Sequence, residues 1–394
     1  MKIGIFGGSF DPVHKEHIHL AQAAVQELGL DTLLIMPAYA PPHKPYKRLT
    51  ADEHRLETCR LAFADIPNVQ VSDFEITQKG TSYTYLTCRH LKNLYPTAQL
   101  FWLVGTDMLR DFPTWKNSED ILSNATLVVC ARNEQDGWLQ AEQQAFYKRF
   151  GKQFTVLSYQ GQDVSSTKIR VLAAAGENVA HLVGDKVQAY IREQKLYEMD
   201  DAKRALALEK PQRKAHSLRV AEVAAKKAGQ LRMDERQAMK AALLHDCGKN
   251  LEMDSPLLQG FILPTQFGEV PAQVVHQFTG AYLSQTQFGV TDEDILNAVR
   301  YHTSGRPNMS ALEKLIFLAD MVEEERSYDV VESIRSAFWS AQGDKDTALD
   351  GCLLLALEQT AVFLRRIGQT VYPLTLDALQ YYKQQTKKEN IDNE

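Results

Sequence analysis

A chain of 394 residues, 44% apolar and 24% charged, is long enough for two packed cores and has the composition of an ordinary globular protein. Lys and Arg number 44 against 50 Asp and Glu, a formal charge of −6, and no basic stretch interleaved with aromatics tracks a nucleic-acid backbone. No run approaches the roughly 18 to 20 apolar residues of a membrane span, so small phosphorylated ligands are the expected partners, with neither nucleic acid nor membrane.

The opening MKIGIFGG reads as a strand entering a glycine turn and not as a signal peptide, which makes the cytoplasm the expected location. From there to about residue 195, short apolar runs alternate with helical patterns. Residues 3–6, 32–36, 69–76, 99–104, 126–131 and 154–158 read as strands, and 18–28, 51–64 and 83–94 as helices. That rhythm predicts a parallel, Rossmann-like α/β sheet with ligands at the carboxyl ends of its strands. Beyond residue 197 the periodicity is helical almost throughout, so the expected domains are 1–198, α/β, and 199–394, all-α. Residues 387–394 lack apolar periodicity and are expected to fray, while Trp102, Trp138 and the run Leu353, Leu354, Leu355 read as core. Five scattered cysteines without a CxxC pair argue against disulfides or a thiolate zinc site.

The first strand runs into GGSFDPVHKEH (7–17), where glycines allow close backbone approach and His14 and His17 stand at the start of a helix. Its unpaired amides and partial positive charge suit an anion. In VSSTKIR (164–170) one of Ser165, Ser166 and Thr167 can cap a second helix, with Lys168 and Arg170 bringing cations to its first turn. Together the two segments resemble the HxGH and SSTxIR signatures of the nucleotidylyltransferase superfamily. PPHK (41–44), GTSYTYLT (80–87) and GTDMLRDFPTWK (105–116) make this half similar to the bacterial nicotinate-nucleotide adenylyltransferases.

The resemblance implies transfer of AMP from ATP, with Mg²⁺, to nicotinate mononucleotide. It implies ATP contacts at Gly7, Ser9, Phe10, His14, His17, Gly105, Asp107, Ser166, Thr167 and Arg170, with catalytic charge from His14, His17, Lys44 and Arg170. Nicotinate would meet Tyr83 and Thr84 through main-chain amides and Trp115 through its ring face. The signature's glycine is Glu16 here, a longer anionic side chain that either turns to solvent or weakens ATP binding. Pantetheine-phosphate adenylyltransferase shares the two signatures and is the alternative.

In the second half, helical spacing puts His216 on the face of Val220, Val223 and Ala224, and His245 on that of Ala238, Ala241 and Ala242. His302 follows Ile295, Ala298 and Val299, and Asp320 follows Leu312, Leu315 and Ile316. With Asp246 and His276 these make six ionisable residues near a core, where a charge is costly unless paired or ligated. A metal site of the kind that takes Fe, Mn, Zn or Co is the expectation. The order, with HDCGK (245–249) at its centre, resembles the HD superfamily of metal-dependent phosphohydrolases. VHQFTGA (275–281), YHTSG (301–305) and LADMVEEER (318–326) extend the likeness to bacterial HD proteins that cleave diadenosine tetraphosphate symmetrically into two ADP.

That resemblance implies one or two metals, iron or manganese first, one on His216, His245, Asp246 and Asp320 and a second on His276 and His302 with Asp246 bridging. Asp246 and Lys249 would serve the chemistry, and Lys249 and Arg326 would neutralise polyphosphate. The alternatives are hydrolysis of another nucleotide and a non-catalytic nucleotide sensor; a homo-oligomer is left open.

Overall fold

The computed structural model describes residues 1–42, 48–132, 136–159, 161, 164–327 and 329–392. Two compact units emerge, Met1–Arg170 with Asn178–Leu196, and Val171–Glu177 with Tyr197–Glu394. The segment Val171–Glu177 thus packs with the second unit, although a single cut near residue 198 would leave it with the first. Among the described residues no helix is long and apolar enough to cross a membrane.

The first unit is built on six parallel strands: β1 (Lys2–Gly8), β2 (Thr32–Pro37), β3 (Val69–Val71), β4 (Gln99–Gly105), β5 (Ala125–Arg132) and β6 (Thr155–Tyr159). Their order is β3-β2-β1-β4-β5-β6. Strands covered on both faces must be apolar at consecutive positions, which explains why Leu100 to Val104 of β4 and Leu127 to Ala131 of β5 are buried without a break. The chain leaves β1 for β2 on one side and reaches β4 on the other, so a crevice opens at the carboxyl ends of β1 and β4.

β3 stops at Val71, short of the strand expected over 69–76, and Phe74–Gln78 forms a short helix. Local bonds decide this: Ser72 Oγ accepts the amide of Phe74 at 3.3 Å, and the Thr77 amide donates to the Asp73 carbonyl at 2.8 Å.

The second unit holds helices and no strand among its described residues. Pro211–Gln230 and Glu235–Leu244 pack through buried alanines, Ala221, Ala224 and Ala228 on one and Ala238, Ala241 and Ala242 on the other. Helix starts are written in the sequence: Asp234, Asp292 and Ser310 each accept first-turn amides through their side chains, Ser310 within a capping box closed by Glu313. The last helix, Pro373–Asp392, keeps its backbone helical into the segment expected to fray. Trp102 and Leu353 are core, whereas Trp138, Leu354 and Leu355 are partly buried; the latter two are turned around the helix from Leu353.

Candidate active sites of the two units

β1 ends at Gly7 and Gly8, and the chain turns through Phe10, whose φ of 46° is left-handed, toward the helix Lys15–Leu28. Phe10 is buried with its ring centroid 5.0 Å from that of His17, so it braces the histidine. His14 stands at the N-cap of the helix: its carbonyl accepts the His17 amide at 2.9 Å, and its own amide donates to His17 Nδ1 at 3.2 Å. An Nδ1 that accepts leaves the neutral ring's proton on Nε2.

Residues far along the chain close on this loop. Ser166 Oγ donates to the Pro12 carbonyl at 2.9 Å, Arg170 Nη1 to the Asp11 carbonyl at 2.7 Å, and Arg170 Nη2 to Thr167 Oγ1 at 3.2 Å. Ser165 is the cap, accepting the Lys168 amide at 3.1 Å. Arg55, which no motif marks, is 1% exposed and donates to the carbonyls of Ser9 (2.8 Å) and Thr50 (2.9 Å) and to Asp52 Oδ1 (2.5 Å). Its signal was its spacing, since Arg55, Cys59 and Phe63 share one buried helical face.

A cavity of about 560 Å³ opens at the carboxyl ends of the strands. Gly7, Ser9, His17, Gly105 and Asp107 of the expected ATP set lie on its wall, and so do Thr84 and Trp115 of the expected nicotinate set. An added Cβ at Gly7 would stand 3.2 Å from the rigid Trp102 ring, so that position favours bare backbone. Tyr83 caps the helix Thr84–Leu94, and the Lys116 ammonium sits 4.5 Å from its ring centroid. Lys44 lies outside the described residues.

Two carboxylates also face this cavity. Glu16 does not turn to solvent: it is 1% exposed, with Oε2 3.7 Å from His19 Nδ1. Glu75, not marked in the sequence, accepts from Thr87 Oγ1 at 2.8 Å. Burial raises its carboxyl against the opposing bonds from Thr87 and Ser82.

In the second unit His216 reaches Asp320 (Nε2–Oδ1 2.8 Å), and its Nδ1 lies 3.1 Å from Glu323 Oε1. His245 and His302 each end a helix, Glu235–Leu244 and Glu293–Tyr301, and donate from Nδ1 to the carbonyls of Ala242 (2.6 Å) and Val299 (2.8 Å). In both rings the hydrogen bond to the carbonyl keeps the proton on Nδ1 and leaves Nε2 as an inward-facing ligand atom. His276 Nε2, on Ala272–Thr286, lies 3.0 Å from His302 Nε2 and 3.2 Å from Asp246 Oδ1.

Three groups result, His216 with His245 and Asp246, His245 with His302 and Asp320, and Asp246 with His276 and His302, each with ligand atoms within 4.8 Å. The set fits divalent cations. His245 Nε2 is buried without a hydrogen bond among the described residues, its approach to Asp246 Oδ2 being 3.5 Å. Burial holds His245 and His276 down to about 4, so both imidazoles are neutral donors at physiological pH. Burial works to raise Asp246 and Asp320, but the facing histidines hold both carboxyls well below the usual range.

Cations rim the cluster: Arg213 Nη1 is 2.8 Å from Asp246 Oδ2, Lys249 Nζ 3.2 Å from His276, and Arg326 Nη2 2.5 Å from Asp320 Oδ1. Arg213 and Glu323 were not picked out in the sequence, although each stands three residues from a ligand candidate, His216 and Asp320, on the same helical face.

Residues 5–172 match the cytidylyltransferase-like family model, and residues 213–325 match the HD domain model. The chain is a nucleotidylyltransferase-type α/β unit followed by a helical HD unit. It is 29% identical over 331 residues to the probable nicotinate-nucleotide adenylyltransferase/Ap4A hydrolase of Mycoplasma genitalium, covering 83% of this chain and 89% of that one. It is 35% identical over 198 residues to the probable nicotinate-nucleotide adenylyltransferase of Clostridium tetani, covering 50% of this chain and 98% of that one. A crystal structure of a predicted HD superfamily hydrolase involved in NAD metabolism, from Clostridium acetobutylicum, is 30% identical, with 47% of this chain and 96% of that one covered and a TM-score of 0.40. The chain belongs to the nicotinate-nucleotide adenylyltransferase family, with an HD domain as its second unit.

Proposed function

We propose that the first unit transfers AMP from ATP to nicotinate mononucleotide, and that the second hydrolyses diadenosine tetraphosphate with one water to two ADP. The first reading is supported by a cavity whose wall includes Gly7, Ser9, His17, Gly105 and Asp107 of the expected ATP set and Thr84 and Trp115 of the expected nicotinate set. The mononucleotide phosphate attacks the α-phosphorus of ATP in line, the bond to the β-phosphate oxygen breaks, and pyrophosphate leaves. No protein nucleophile is needed. Alignment in the cavity contributes up to about 7 to 11 kcal/mol, and each preorganised donor, with His17 Nε2–H foremost, roughly 3 kcal/mol. Lys44 and Arg170 would supply positive charge to the triphosphate and Thr167 a hydroxyl, Mg²⁺ would come with ATP, and Trp115 would stack on the pyridine ring. Family membership favours this reaction over pantetheine-phosphate adenylyl transfer.

The second reading is carried by the three overlapping ligand groups. A bound divalent cation, iron or manganese, supplies an acidified water and a clamp for phosphoryl oxygens. His216, His245, Asp246 and Asp320 would hold one cation, and His276 and His302, with Asp246, would hold a second. Arg213, Lys249 and Arg326, at the rim of the ligand set, would face the polyphosphate. Intact ligand sets favour hydrolysis over a purely sensing role.

The test is chromatography of products from wild type, His17→Ala and Asp246→Ala, each offered ATP with nicotinate mononucleotide and, separately, diadenosine tetraphosphate with Mn²⁺ or Fe²⁺. Each substitution should abolish its own product and spare the other. A wild type that leaves the tetraphosphate intact overturns the hydrolytic reading.

A further inference from the structure

Beside the ligand cluster the HD unit opens a cleft of about 610 Å³, in the range of about 300 to 1,000 Å³ typical of small-molecule sites. His302 and Asp320 lie on its wall, so it is continuous with the cluster. The rest of the lining is of another character. Phe317, Met321 and Val330 contribute apolar surface, and Val362, Phe363 and Ile367 do so while 57%, 56% and 49% exposed. Three large apolar side chains left in water around one hollow mark a binding surface.

The polar groups narrow the occupant. Arg326 stands at the cluster, bonded to Asp320, and Arg366 lines the cleft with Nη1 3.7 Å from Asp329 Oδ2. Gln359 and Thr360 add an amide and a hydroxyl. An aliphatic chain would leave these unused, and a bare phosphate would leave the apolar wall wet. A planar heterocycle with polar edges, joined to an anion that reaches the metal ligands, satisfies both. We propose that this cleft holds the base of one nucleoside of the polyphosphate substrate, stacked on Phe363, with its 5′-polyphosphate running toward the ligand cluster at His302 and Asp320. The assignment rests on the hydrolytic reading of the cluster.

The test uses the full-length chain with Mn²⁺, irradiated with 8-azido-ADP, and peptide mapping of the label by mass spectrometry. Label is expected within residues 359–367, lost in Phe363→Ala and kept in Phe363→Tyr. In parallel, Phe363→Ala should raise KM for diadenosine tetraphosphate by about 5- to 150-fold, the range of base-on-aromatic stacking, and Phe363→Tyr should restore it. Because Phe363 is mostly exposed, its truncation leaves the core packing alone. An unlabelled 359–367 stretch, or a KM for Phe363→Ala within twofold of wild type, overturns the assignment. Label in the cleft without hydrolysis by wild type supports the nucleotide subsite and refutes the hydrolytic reading instead.

Discussion

Replacing Arg55 by Met tests whether the first unit's phosphate loop is held from behind. Arg55 is 1% exposed and donates to the Ser9 and Thr50 carbonyls at 2.8 and 2.9 Å. Methionine keeps an apolar stem of similar reach and removes every donor. Hydrogen bonds to a charged group are worth about 1.5 to 3 kcal/mol each, so losing two costs roughly 3 to 6 kcal/mol. The Asp52 contact is discounted because that carboxylate is 28% exposed and water replaces its partner. Relief of guanidinium desolvation returns part of the loss, leaving a net destabilisation of about 2 to 4 kcal/mol. For a unit near 200 residues that lowers the melting temperature by roughly 4 to 16 °C. Ser9 lines the cavity, so loosening its loop should also raise KM for ATP by about tenfold while diadenosine tetraphosphate hydrolysis stays unchanged. Calorimetry and initial rates read both effects. A melting temperature within about 1 °C of wild type, with unchanged KM, would refute the reasoning.

Further outcomes follow from other buried groups. Glu323→Gln removes the carboxylate 3.1 Å from His216 Nδ1 and should weaken metal binding about 10- to 100-fold, measured by equilibrium dialysis and metal analysis; unaltered affinity would mean that Glu323 does not orient the ring. Burial pushes Glu209 up to about 8, above an unfolded value of 4.5, with Ser217 opposing. A raised folded pKa means the group's contribution is full below pH 4.5 and lost as pH rises through 8. Glu209→Gln should therefore flatten denaturant stability across that window and be more stable than wild type above pH 8, by on the order of 5 kcal/mol; a parallel pH profile would count against it. Glu16→Gly takes a buried carboxylate off the ATP cavity wall and should lower KM for ATP about three- to tenfold, at a helix cost of about 1 kcal/mol. An unchanged or raised KM would show that this carboxylate does not oppose the triphosphate.

The sheet was legible because parallel strands buried on both faces leave unbroken apolar runs, as over residues 100–104 and 127–131. β3 reads too long because Val69 with Val71 and Phe74 with Ile76 are two short alternating pairs, although the phase slips between them, where the hydroxyl of Ser72 ends the strand. His216, His245, His302 and Asp320 could be found by period alone, since each lies in line with an apolar helical stripe. Arg55, Glu75, Arg213 and Glu323 could not be distinguished from ordinary helical charges by type. What sets them apart is the far-off partner each meets, such as Ser9 for Arg55 or Thr87 for Glu75. Glu16 shows the limit of a motif: its departure was visible, but the inward direction of its side chain was not.

His245 and His302 are each fastened to a main-chain carbonyl three residues earlier. Those carbonyls belong to last helical turns, which have acceptors to spare. Tautomer choice at two metal-facing rings is thus delegated to the backbone, where no side-chain substitution can edit it directly. Selection can then vary the carboxylates and rim cations, tuning which ion is retained, while two coordinates of the site are set as soon as their helices close.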